Sequence, residues 1–409
     1  MIMETVTSVL EMDLPELDSA ELDRLDALEL AATIATSSRL ARTDVGVAVL
    51  HQGDVAAVLR DRRFESAIGR MLSSFGPKSI AYFSNRRQSI LSMEGDEHTR
   101  LRRLVSPAFT PAAADRHRPA MRRVLGDLVD PHLDKGEIEL VGSVCEPYPI
   151  PIICEVLGAP AEDWELFGEW ATGIFKIFNG DVENDIDDIA AAQEGLSAYV
   201  AALIERRRLS PADDLLSDLI AAEEAGDRLD TPELCMLAEA VLMAGTDTTR
   251  NQLGCSMALL AQRPAKWAEL RANRSLIPRA VEETMRYLGA VRATVRIAAD
   301  DIVIDDLLFP AGTVVTAHLA AANRDASVFA DPEELDFELV RSNEQMTFGS
   351  GIHRCLGAAL ARAELQEGLG VLVDRFATVE LAGPVTWKPS GNGIWGPASL
   401  PLRFTRAEG

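Results

Sequence analysis

A glycine-rich segment near the end of the chain holds the side chains best suited to chemistry. Residues 348–357 read Phe-Gly-Ser-Gly-Ile-His-Arg-Cys-Leu-Gly, and Cys355 precedes an apolar pattern that predicts an amphipathic helix over residues 356–376. Unpaired backbone N–H groups and the positive end of a helix dipole favour a thiolate over a thiol at such a position. Because glycines let amides approach an anion from several sides, the segment predicts a thiolate that takes a soft metal or an electrophile. A lone Cys-Gly pair is otherwise typical of a buried structural cysteine.

A second group of reactive side chains lies in the middle of a predicted helix. Residues 230–233 (Asp-Thr-Pro-Glu) form a helix start, and the apolar pattern continues to Pro264, which gives a helix of about 45–50 Å at 1.5 Å per residue. Residues 244–249 read Ala-Gly-Thr-Asp-Thr-Thr, and their hydroxyls compete for backbone hydrogen bonds, so we expect a local kink. The apolar flanks favour a buried helix with a hydrated notch over the alternative, a polar patch that faces solvent.

Two further pairs of charged residues have helical spacing. Glu283 and Arg286 stand at i and i+3, where a carboxylate and a guanidinium can pair, although such pairs are usually superficial. His98 and Arg102 stand at i and i+4 and form one basic face that can hold carboxylates. Taken alone, each pair is also consistent with a solvated surface.

The elements that must position these residues are mostly helices. Apolar residues recur at every third or fourth position in six segments: 98–128, 161–176, 187–208, 231–262, 276–288 and 356–376. Short alternating segments predict peripheral strands at 47–50, 302–304, 313–316 and 400–404. Since the chain shows no internal repeat and no flexible linker, we expect residues 1–409 to form a single domain, mainly α with small β-sheets. Two long irregular segments, 66–92 and 326–354, have the length of functional loops.

The composition bounds the possible functions. The 409 residues are 47% hydrophobic, which is enough for a large core and excludes disorder as the main state. A formal net charge of −24 at pH 7 repels phosphate backbones and acidic lipids, so nucleic acid and acidic membrane surfaces are poor partners. Residues 1–25 lack the features of a leader and no run reaches about 20 apolar residues, so we expect a cytoplasmic protein without a membrane anchor. The five cysteines contain no Cys-x-x-Cys pair, and a bound metal would therefore fall to Cys355.

The glycine-rich segment resembles the haem-binding signature of the cytochromes P450. The signature places an aromatic residue, two glycines, a histidine, the cysteine and a last glycine at the offsets of Phe348, Gly349, Gly351, His353, Cys355 and Gly357. The resemblance implies the prism-shaped, α-rich fold of that family, a haem b cofactor, and the Cys355 thiolate as ligand of its iron. It covers nearly the whole chain, because the other motifs follow in the family's order.

The same resemblance gives roles to residues of the long helix and of the 276–288 helix. It implies that Asp247 relays protons, that Thr248 organises water, and that Ala244 lies beside the cofactor. Proton delivery of this kind needs a chain of donors at short reach. It also implies a buried structural group behind the haem, made of Glu283, Arg286 and, as a candidate third member, Arg324.

Binding of the haem propionates is a further implication of the resemblance. The family's positions for this task fall on His98, Arg102, Arg296 and His353, each of which can supply a charge-assisted hydrogen bond. The chain departs from the family at residues 93–97, Met-Glu-Gly-Asp-Glu, where the family often has proline. This departure is expected to shift the start of the helix that carries His98.

The implied activity is that of a haem-thiolate monooxygenase. A thiolate ligand favours cleavage of the O–O bond of dioxygen, after which the enzyme hydroxylates or otherwise oxidises its substrate. We expect a separate ferredoxin and ferredoxin reductase to supply the electrons, because little chain follows the haem region. An acidic ferredoxin is expected to dock on a basic patch of four arginines: Arg100, Arg103, Arg354 and Arg362. A monomer is expected.

The expected substrate is a lipophilic small molecule such as a steroid, a terpenoid, a fatty acid or a secondary metabolite. Mostly apolar residues are predicted to surround it: Met71, Leu72, Phe75, Phe175, Phe178, Met243, Ala244, Val291, Thr294, Ile394 and Trp395. Arg292 either meets a substrate carboxylate or turns outward, and the outward position is favoured. Two other functions stay open: a peroxygenase driven by hydrogen peroxide, which the Asp247 and Thr248 pair argues against, and a non-enzymatic haem sensor or carrier.

Overall fold

The computed structural model describes residues 6–17, 26–72, 76–84, 89–178, 181–224, 229–339, 344–388 and 394–408. Helices dominate this part of the chain, as predicted. They are α1 (Asp26–Ala35), α2 (Gln52–Arg60), α3 (Ile68–Leu72), α4 (Pro77–Phe83), α5 (Gly95–Val105), α6 (Pro111–Arg116), α7 (Arg118–Val129), α8 (Pro149–Leu157), α9 (Trp164–Phe175), α10 (Val182–Leu209), α11 (Leu215–Glu224), α12 (Thr231–Ala244), α13 (Asp247–Ala261), α14 (Pro264–Ala272), α15 (Ile277–Tyr287), α16 (Leu319–Ala322) and α17 (Ala358–Arg375).

The strands are short and lie in small sheets. They are β1 (Thr7–Ser8), β2 (Leu40–Thr43), β3 (Gly46–Val49), β4 (Phe64–Ser66), β5 (Glu137–Glu139), β6 (Thr294–Ala298), β7 (Ile302–Ile304), β8 (Leu307–Phe309), β9 (Val314–Ala317), β10 (Phe376–Leu381), β11 (Thr386–Trp387), β12 (Pro397–Ser399) and β13 (Pro401–Arg406). The largest sheet among the described residues has the order β2-β3-β9-β6-β4. Its edge strand β4 runs antiparallel to β6 and places Ser66 opposite Arg296.

The long helix predicted from residue 231 to Pro264 is interrupted. It begins as expected, because the Asp230 side chain accepts a hydrogen bond from the Glu233 amide at 2.7 Å and the Glu233 carboxylate accepts one from the Asp230 amide at 3.0 Å. It ends at Ala244, and α13 begins only at Asp247. The expectation of one continuous helix is therefore wrong, whereas the expected kink in the middle is present.

Side-chain competition and close packing explain the interruption. The Thr246 hydroxyl donates to the Met243 carbonyl at 2.9 Å and the Thr248 hydroxyl to the Ala244 carbonyl at 3.3 Å, so hydroxyls take carbonyls that a regular helix would use. At Gly245, a Cβ atom would lie 2.5 Å from the Ile153 side chain of α8. Glycine at this position thus allows α8 to pack directly against the break.

The helical pattern predicted over residues 98–128 is confirmed, but several elements share it. The structure has α5, a 3₁₀ turn, α6 and α7 in this range. A proline stands in the first turn of each later element, at Pro107, Pro111 and Pro119, because proline lacks the amide that would continue the preceding helix. The irregular segment predicted over residues 66–92 contains the short helices α3 and α4.

Helix α17 links the cysteine segment to the rest of the core. It contacts α7, α13 and α15, and its buried leucines belong to the main hydrophobic cluster. The predicted bounds of 356–376 are close to the observed Ala358–Arg375. Of the helices in the described ranges, none is both long enough and apolar enough to span a membrane.

Candidate functional site

The cysteine segment is a compact turn that returns the chain to itself before α17. The Cys355 amide donates to the Phe348 carbonyl at 2.8 Å, and the Gly349 amide donates to the Met346 carbonyl at 2.7 Å. Gly349 and Gly351 have φ angles of 67° and 70°, in the left-handed region that favours glycine. A Cβ on Gly351 would lie 1.9 Å from the Leu59 carbonyl oxygen, so glycine there lets the turn rest on α2.

Cys355 keeps an accessible side chain, although it belongs to a segment that leads into the core. The protein packed around the sulfur raises the pKa of the Cys355 thiol, because desolvation outweighs the opposing effects of the Gly357 amide and of the nearby guanidinium of Arg102. Helix α17 begins only at Ala358. The Gly357 amide and the guanidinium groups of Arg102, Arg362 and Arg354 act in favour of the thiolate, and a metal that binds this sulfur displaces the proton of the thiol.

Two histidines meet beside the cysteine segment. The His98 and His353 rings have centroids 4.5 Å apart, and His353 Nε2 lies 3.0 Å from Glu94 Oε1. Burial lowers the pKa of His98 to about 4, and its Nδ1 has no hydrogen-bond partner among the described residues. Buried ring nitrogens usually have a hydrogen-bond partner, so this Nδ1 is available to a ligand.

Two arginines complete the polar group on this side. Arg296 of β6 is 5% exposed and donates to two neutral acceptors, the Thr294 hydroxyl at 2.9 Å and the Val295 carbonyl at 3.0 Å. Arg102 donates to the Arg354 carbonyl at 2.5 Å. Burial lowers the pKa of both guanidinium groups. A buried cation is costly unless it meets an anion, so this group fits the two carboxylates of a haem.

Glu94 and Ser66 hold these elements together. The Glu94 carboxylate accepts the Ser66 amide at 2.6 Å in addition to its contact with His353. Ser66 is the residue that pairs with Arg296 across β4 and β6. The structure thus brings His98, Arg102, Arg296 and His353 to one side of the cysteine segment. Sequence reasoning noted Glu94 only as part of a departure from the family and missed its role in the assembly.

The second group of predicted residues lies at the break between α12 and α13. Ala244 is exposed, Thr248 is half-buried and Asp247 is buried. The Asp247 carbonyl accepts the side-chain amide of Asn251 at 2.7 Å, which fixes the first turn of α13. The Asp247 carboxylate contacts the Arg250 guanidinium and lies 3.8 Å from Lys388 Nζ. An acid and a hydroxyl side by side at an open turn can pass and orient protons.

A buried carboxylate that sequence reasoning missed connects this turn to α17. Glu364 is 2% exposed, and its carboxyl group accepts a hydrogen bond from the Thr249 hydroxyl at 3.3 Å. Burial raises the pKa of Glu364 to about 8, so this group is protonated at neutral pH. The available signal was a glutamate on the apolar face of the α17 pattern, between Leu360 and Leu365.

Glu283 and Arg286 form a fully buried ion pair. Two guanidinium nitrogens of Arg286 donate to the two Glu283 oxygens at 2.8 Å each. The same guanidinium donates to the carbonyls of Asn323, Pro332 and Glu334 at 3.1, 2.7 and 2.9 Å.

Arg324, the candidate third member, does not join this pair directly. It contacts Glu333 at 2.5 Å and donates to the Tyr287 carbonyl at 2.9 Å.

The predicted substrate residues fall into three groups. Val291 and Ile394 form an isolated β-bridge, Phe175 and Met243 are half-buried, and Thr294 accepts the hydrogen bond from Arg296. Trp395 is 1% exposed and stacks on Trp387 with a centroid distance of 4.2 Å, so its ring packs in the core. The remaining residues lie outside the described part of the chain, Phe75 entirely and the other three by their side chains: Met71, Leu72 and Phe178.

Arg292 turns inward. It is 8% exposed, and its guanidinium carbon lies 3.4 Å from the centroid of the Trp395 ring. The favoured outward position is therefore wrong, because stacking on an indole offers the guanidinium a favourable buried surface.

Three of the four arginines expected to form a docking patch already hold carboxylates. Arg100 pairs with Glu233 at 2.5 Å, Arg354 with Glu344 at 2.9 Å and Arg362 with Glu282 at 2.6 Å. Arg103 is exposed on α5. The net positive charge of this surface is accordingly smaller than a count of its arginines indicates.

Comparison with known proteins gives concordant matches. The family model described as Cytochrome P450 matches residues 168–390. Luteothin monooxygenase of Streptomyces thioluteus is 34% identical over 400 residues, 97% of each chain, and nocardicin C N-oxygenase of Nocardia uniformis subsp. tsuyamanensis is 37% identical over 363 residues, 87% of this chain and 89% of its own. The solved structure of cytochrome P450 CYP109Q5 from Chondromyces apiculatus superposes with a TM-score of 0.85 at 32% identity, covering 96% of this chain and 99% of its own.

Proposed function

The chain belongs to the cytochrome P450 family and is a P450 monooxygenase, and on this premise we propose that it oxidises a lipophilic small molecule with dioxygen and electrons from a separate redox partner. The observation that carries the proposal is the polar group beside Cys355, in which the buried Nδ1 of His98 has no partner among the described residues and the buried Arg296 and half-buried Arg102 donate to neutral acceptors. An anionic ligand would supply acceptors for the groups that Glu94 does not reach.

The proposed cofactor is haem b, held by Cys355 and by the polar group beside it. Cys355 would ligate the iron, while His98, Arg102, Arg296 and His353 would bind the propionates by charge-assisted hydrogen bonds. When bound, a thiolate-ligated haem supplies the oxidising chemistry. The family membership implies this cofactor, and the orphaned Nδ1 of His98 is consistent with it.

Asp247 and Thr248 are proposed to supply protons for dioxygen activation. Asp247 would take a proton from the solvent side and release one toward the half-buried Thr248, which would orient water. The break between α12 and α13 supports this role, since it places the Thr248 hydroxyl, which donates to the Ala244 carbonyl at 3.3 Å, next to Asp247. The presence of Asp247 and Thr248 also favours dioxygen over hydrogen peroxide as the oxidant.

A ferredoxin with its reductase is the proposed electron source. Arg103 is the proposed centre of the docking surface, because the other three arginines of the predicted patch are paired with carboxylates. Exchange of electrons should weaken with ionic strength, since it depends on charge complementarity. We further propose that the protein works in the cytoplasm as a monomer.

The proposed substrate is a secondary metabolite. Relatives named for luteothin and nocardicin C oxygenation support this class. The half-buried Phe175, Met243, Val291 and Ile394 offer apolar surface that suits a lipophilic molecule. Steroids, terpenoids and fatty acids remain alternative substrate classes.

The proposal is tested with purified protein reconstituted with haem. Reduced protein treated with carbon monoxide should show the red-shifted absorption band of thiolate ligation, and Cys355→Ser should lose it. Ligands from a lipophilic library that displace the sixth ligand of the iron should shift its spin state and reveal the substrate class. Product formation with ferredoxin and reductase should exceed that with hydrogen peroxide, and the reverse ranking would favour a peroxygenase. No product with any spectroscopic ligand would favour a sensor or carrier.

A further inference from the structure

Two residues of the proposed substrate pocket form a short wall. Val291 and Ile394 pair in an isolated antiparallel β-bridge, and both side chains are half-buried. The next residue along each segment is more deeply buried, with exposed fractions of 8% for Arg292 and 1% for Trp395. Because successive residues of extended chain point to opposite faces, Val291 and Ile394 share the open face of the bridge. Arg292 and Trp395 then share its closed face, behind the wall.

The closed face carries three stacked layers. The guanidinium carbon of Arg292 lies 3.4 Å from the centroid of the Trp395 ring. The ring of Trp387 is parallel to the Trp395 ring, with an interplanar angle of 1° and a centroid distance of 4.2 Å. One face of an indole has no room for both groups at these distances, so the Trp395 ring lies between Arg292 and Trp387. This stack of Arg292, Trp395 and Trp387 combines a cation–π contact with an aromatic pair.

Backbone hydrogen bonds connect the stack to its surroundings. The Trp395 amide donates to the Ala290 carbonyl at 2.7 Å. The Trp395 carbonyl accepts a hydrogen bond from the Cys255 thiol of α13 at 3.8 Å. The Arg292 carbonyl accepts one from the Ala320 amide of α16 at 2.9 Å. The stack is therefore fixed against two helices, and the wall in front of it cannot recede without disturbing these contacts.

We infer that this stack determines substrate specificity by holding the pocket wall in place from behind. The inference rests on the proposed function and adds three positioning residues to it, which act on a substrate only through Val291 and Ile394. A cation on an indole face has a defined height and position, whereas aliphatic side chains of similar volume pack in more than one way. The stack thus keeps the wall rigid, and molecules that need extra width on this side of the pocket are excluded.

Azoles that bind haem iron measure the shape of the pocket before the substrate is known. Imidazole is small enough to bind at the iron without reaching the wall, whereas clotrimazole carries three bulky rings. Trp395→Leu removes the ring behind the wall and lets the wall recede, so the ratio of the clotrimazole Kd to the imidazole Kd should fall by about tenfold. Trp395→Phe keeps an aromatic face for the guanidinium and should retain most of the wild-type ratio. The shift of the haem absorption band gives both Kd values.

Arg292→Met tests the stack with little loss of volume, and it serves in place of Trp395→Leu if that variant does not fold. Removal of the cation loosens the Trp395 ring, so the ratio should fall by about threefold. Arg292→Lys retains a cation and should give a ratio between those of the wild type and Arg292→Met.

Hydrogen exchange provides a readout that needs neither turnover nor an azole. The Trp395 amide, bonded to the Ala290 carbonyl, should exchange about tenfold faster in haem-loaded Arg292→Met than in the wild type, because the segment opens more often. Mass spectrometry of the peptide that contains Trp395 measures this rate. No acceleration in Arg292→Met would contradict a role for the cation in holding the wall.

The matched control is another stacked aromatic pair, far along the chain from the wall residue Val291. Phe376 of β10 and Phe404 of β13 stack with a centroid distance of 3.9 Å and an interplanar angle of 19°, and both are buried. Phe404→Leu should lower the stability of the protein and leave the azole ratio unchanged. A fall in the ratio as large as that in Trp395→Leu would show that general destabilisation, and not the stack, changes the pocket.

The outcomes separate the stack from the proposed function. An unchanged azole ratio in both Trp395→Leu and Arg292→Met would overturn the inference and leave the stack a purely structural feature. The carbon monoxide band of the wild type reports on thiolate-ligated haem independently. A missing band would count against the proposed function, whereas a normal band with an unchanged azole ratio would count against the inference alone.

Discussion

Two arginine–carboxylate pairs of identical helical spacing have different environments in this protein. Glu283 with Arg286 on α15 and Asp247 with Arg250 on α13 both place the arginine three residues after the acid. The exposed side-chain fractions are 6% and 1% in the first pair and 7% and 17% in the second. The acids are equally buried, and the arginines are not.

The hydrogen bonds differ more than the burial does. Both oxygens of Glu283 accept from Arg286, whose other donors reach three backbone carbonyls. Oδ1 of Asp247 has a charged neighbour without an aligned hydrogen bond, and it lies next to a cleft. The satisfied pair ties α15 to three backbone carbonyls, whereas the pair on α13 has fewer hydrogen bonds to hold it.

The largest expected effect on stability comes from breaking the pair of Glu283 and Arg286. Arg286→Leu leaves Glu283 as an uncompensated buried charge, so the free energy of unfolding should fall by about 3–5 kcal/mol. Arg250→Leu should cost less than about 2 kcal/mol, because Lys388 remains at 3.8 Å and the cleft admits water. Urea denaturation followed by circular dichroism measures both. Equal losses in the two variants would remove the distinction between the pairs.

When activity is measured in place of stability, substitution of Asp247 should have a larger effect than substitution of Glu283. Loss of a positioned acid is expected to reduce turnover by about 10²-fold or more, while the free energy of unfolding changes by less than about 1 kcal/mol. Glu283→Gln is the matched variant, and it should lower stability before it affects the rate of the folded fraction. Steady-state rates normalised to the carbon monoxide band test this, and an unchanged rate in Asp247→Asn would contradict the proposed relay.

A third buried carboxylate, Glu364, should make the free energy of unfolding depend on pH. Its hydrogen bond comes from a hydroxyl, and burial raises its pKa from 4.5 to about 8. Between these values the folded protein keeps a proton that the unfolded chain releases, so stability should fall with rising pH by about 1.4 kcal/mol per pH unit. Glu364→Gln should abolish this contribution.

The measurement is the pH dependence of unfolding in wild type and Glu364→Gln, taken as a difference. Subtraction is necessary because burial lowers the pKa of both His98 and His318 to about 4. These histidines act with the opposite sign, and their contribution should be lost as pH falls from 6.5 toward 4. Parallel curves for the two proteins would show that Glu364 ionises normally.

The smallest effect is expected for an exposed pair. Asp130 and Arg375 are bonded at 2.7 Å, but their side chains are 49% and 41% exposed. Asp130→Asn should therefore change the free energy of unfolding by less than about 1 kcal/mol, and less still in high salt. A change as large as that of Arg286→Leu would mean that burial does not determine how much these pairs contribute to stability.

Much of the helical framework could be predicted from the sequence because helices leave a local pattern. The predicted segments 276–288 and 356–376 agree closely with Ile277–Tyr287 and Ala358–Arg375. Differences arose where proline or threonine interrupts an apolar pattern without changing its period, as in residues 98–128 and at the break after Ala244. Hydrophobic periodicity indicates which face of a helix is buried, but it hardly changes when the helix is briefly interrupted.

The site residues were easier to find than their environments. Cys355, His98, Arg102 and Arg296 were found by motif position, and the structure gathers the last three at the cysteine segment. Glu94 and Glu364 were missed, since their partners are distant in sequence. The inward position of Arg292 depends on Trp395, about a hundred residues later in the chain.

The sequence alone determined the family, the main helices and the residues available for chemistry, because motifs, caps and apolar periods are local. Only the tertiary structure decided the state of each charged group. Desolvation and hydrogen bonding depend on chain segments that are far apart in sequence, so the spacing of Glu283 and Arg286 could not be distinguished from that of Asp247 and Arg250. Packing made the first a closed structural pair and left the second beside a cleft.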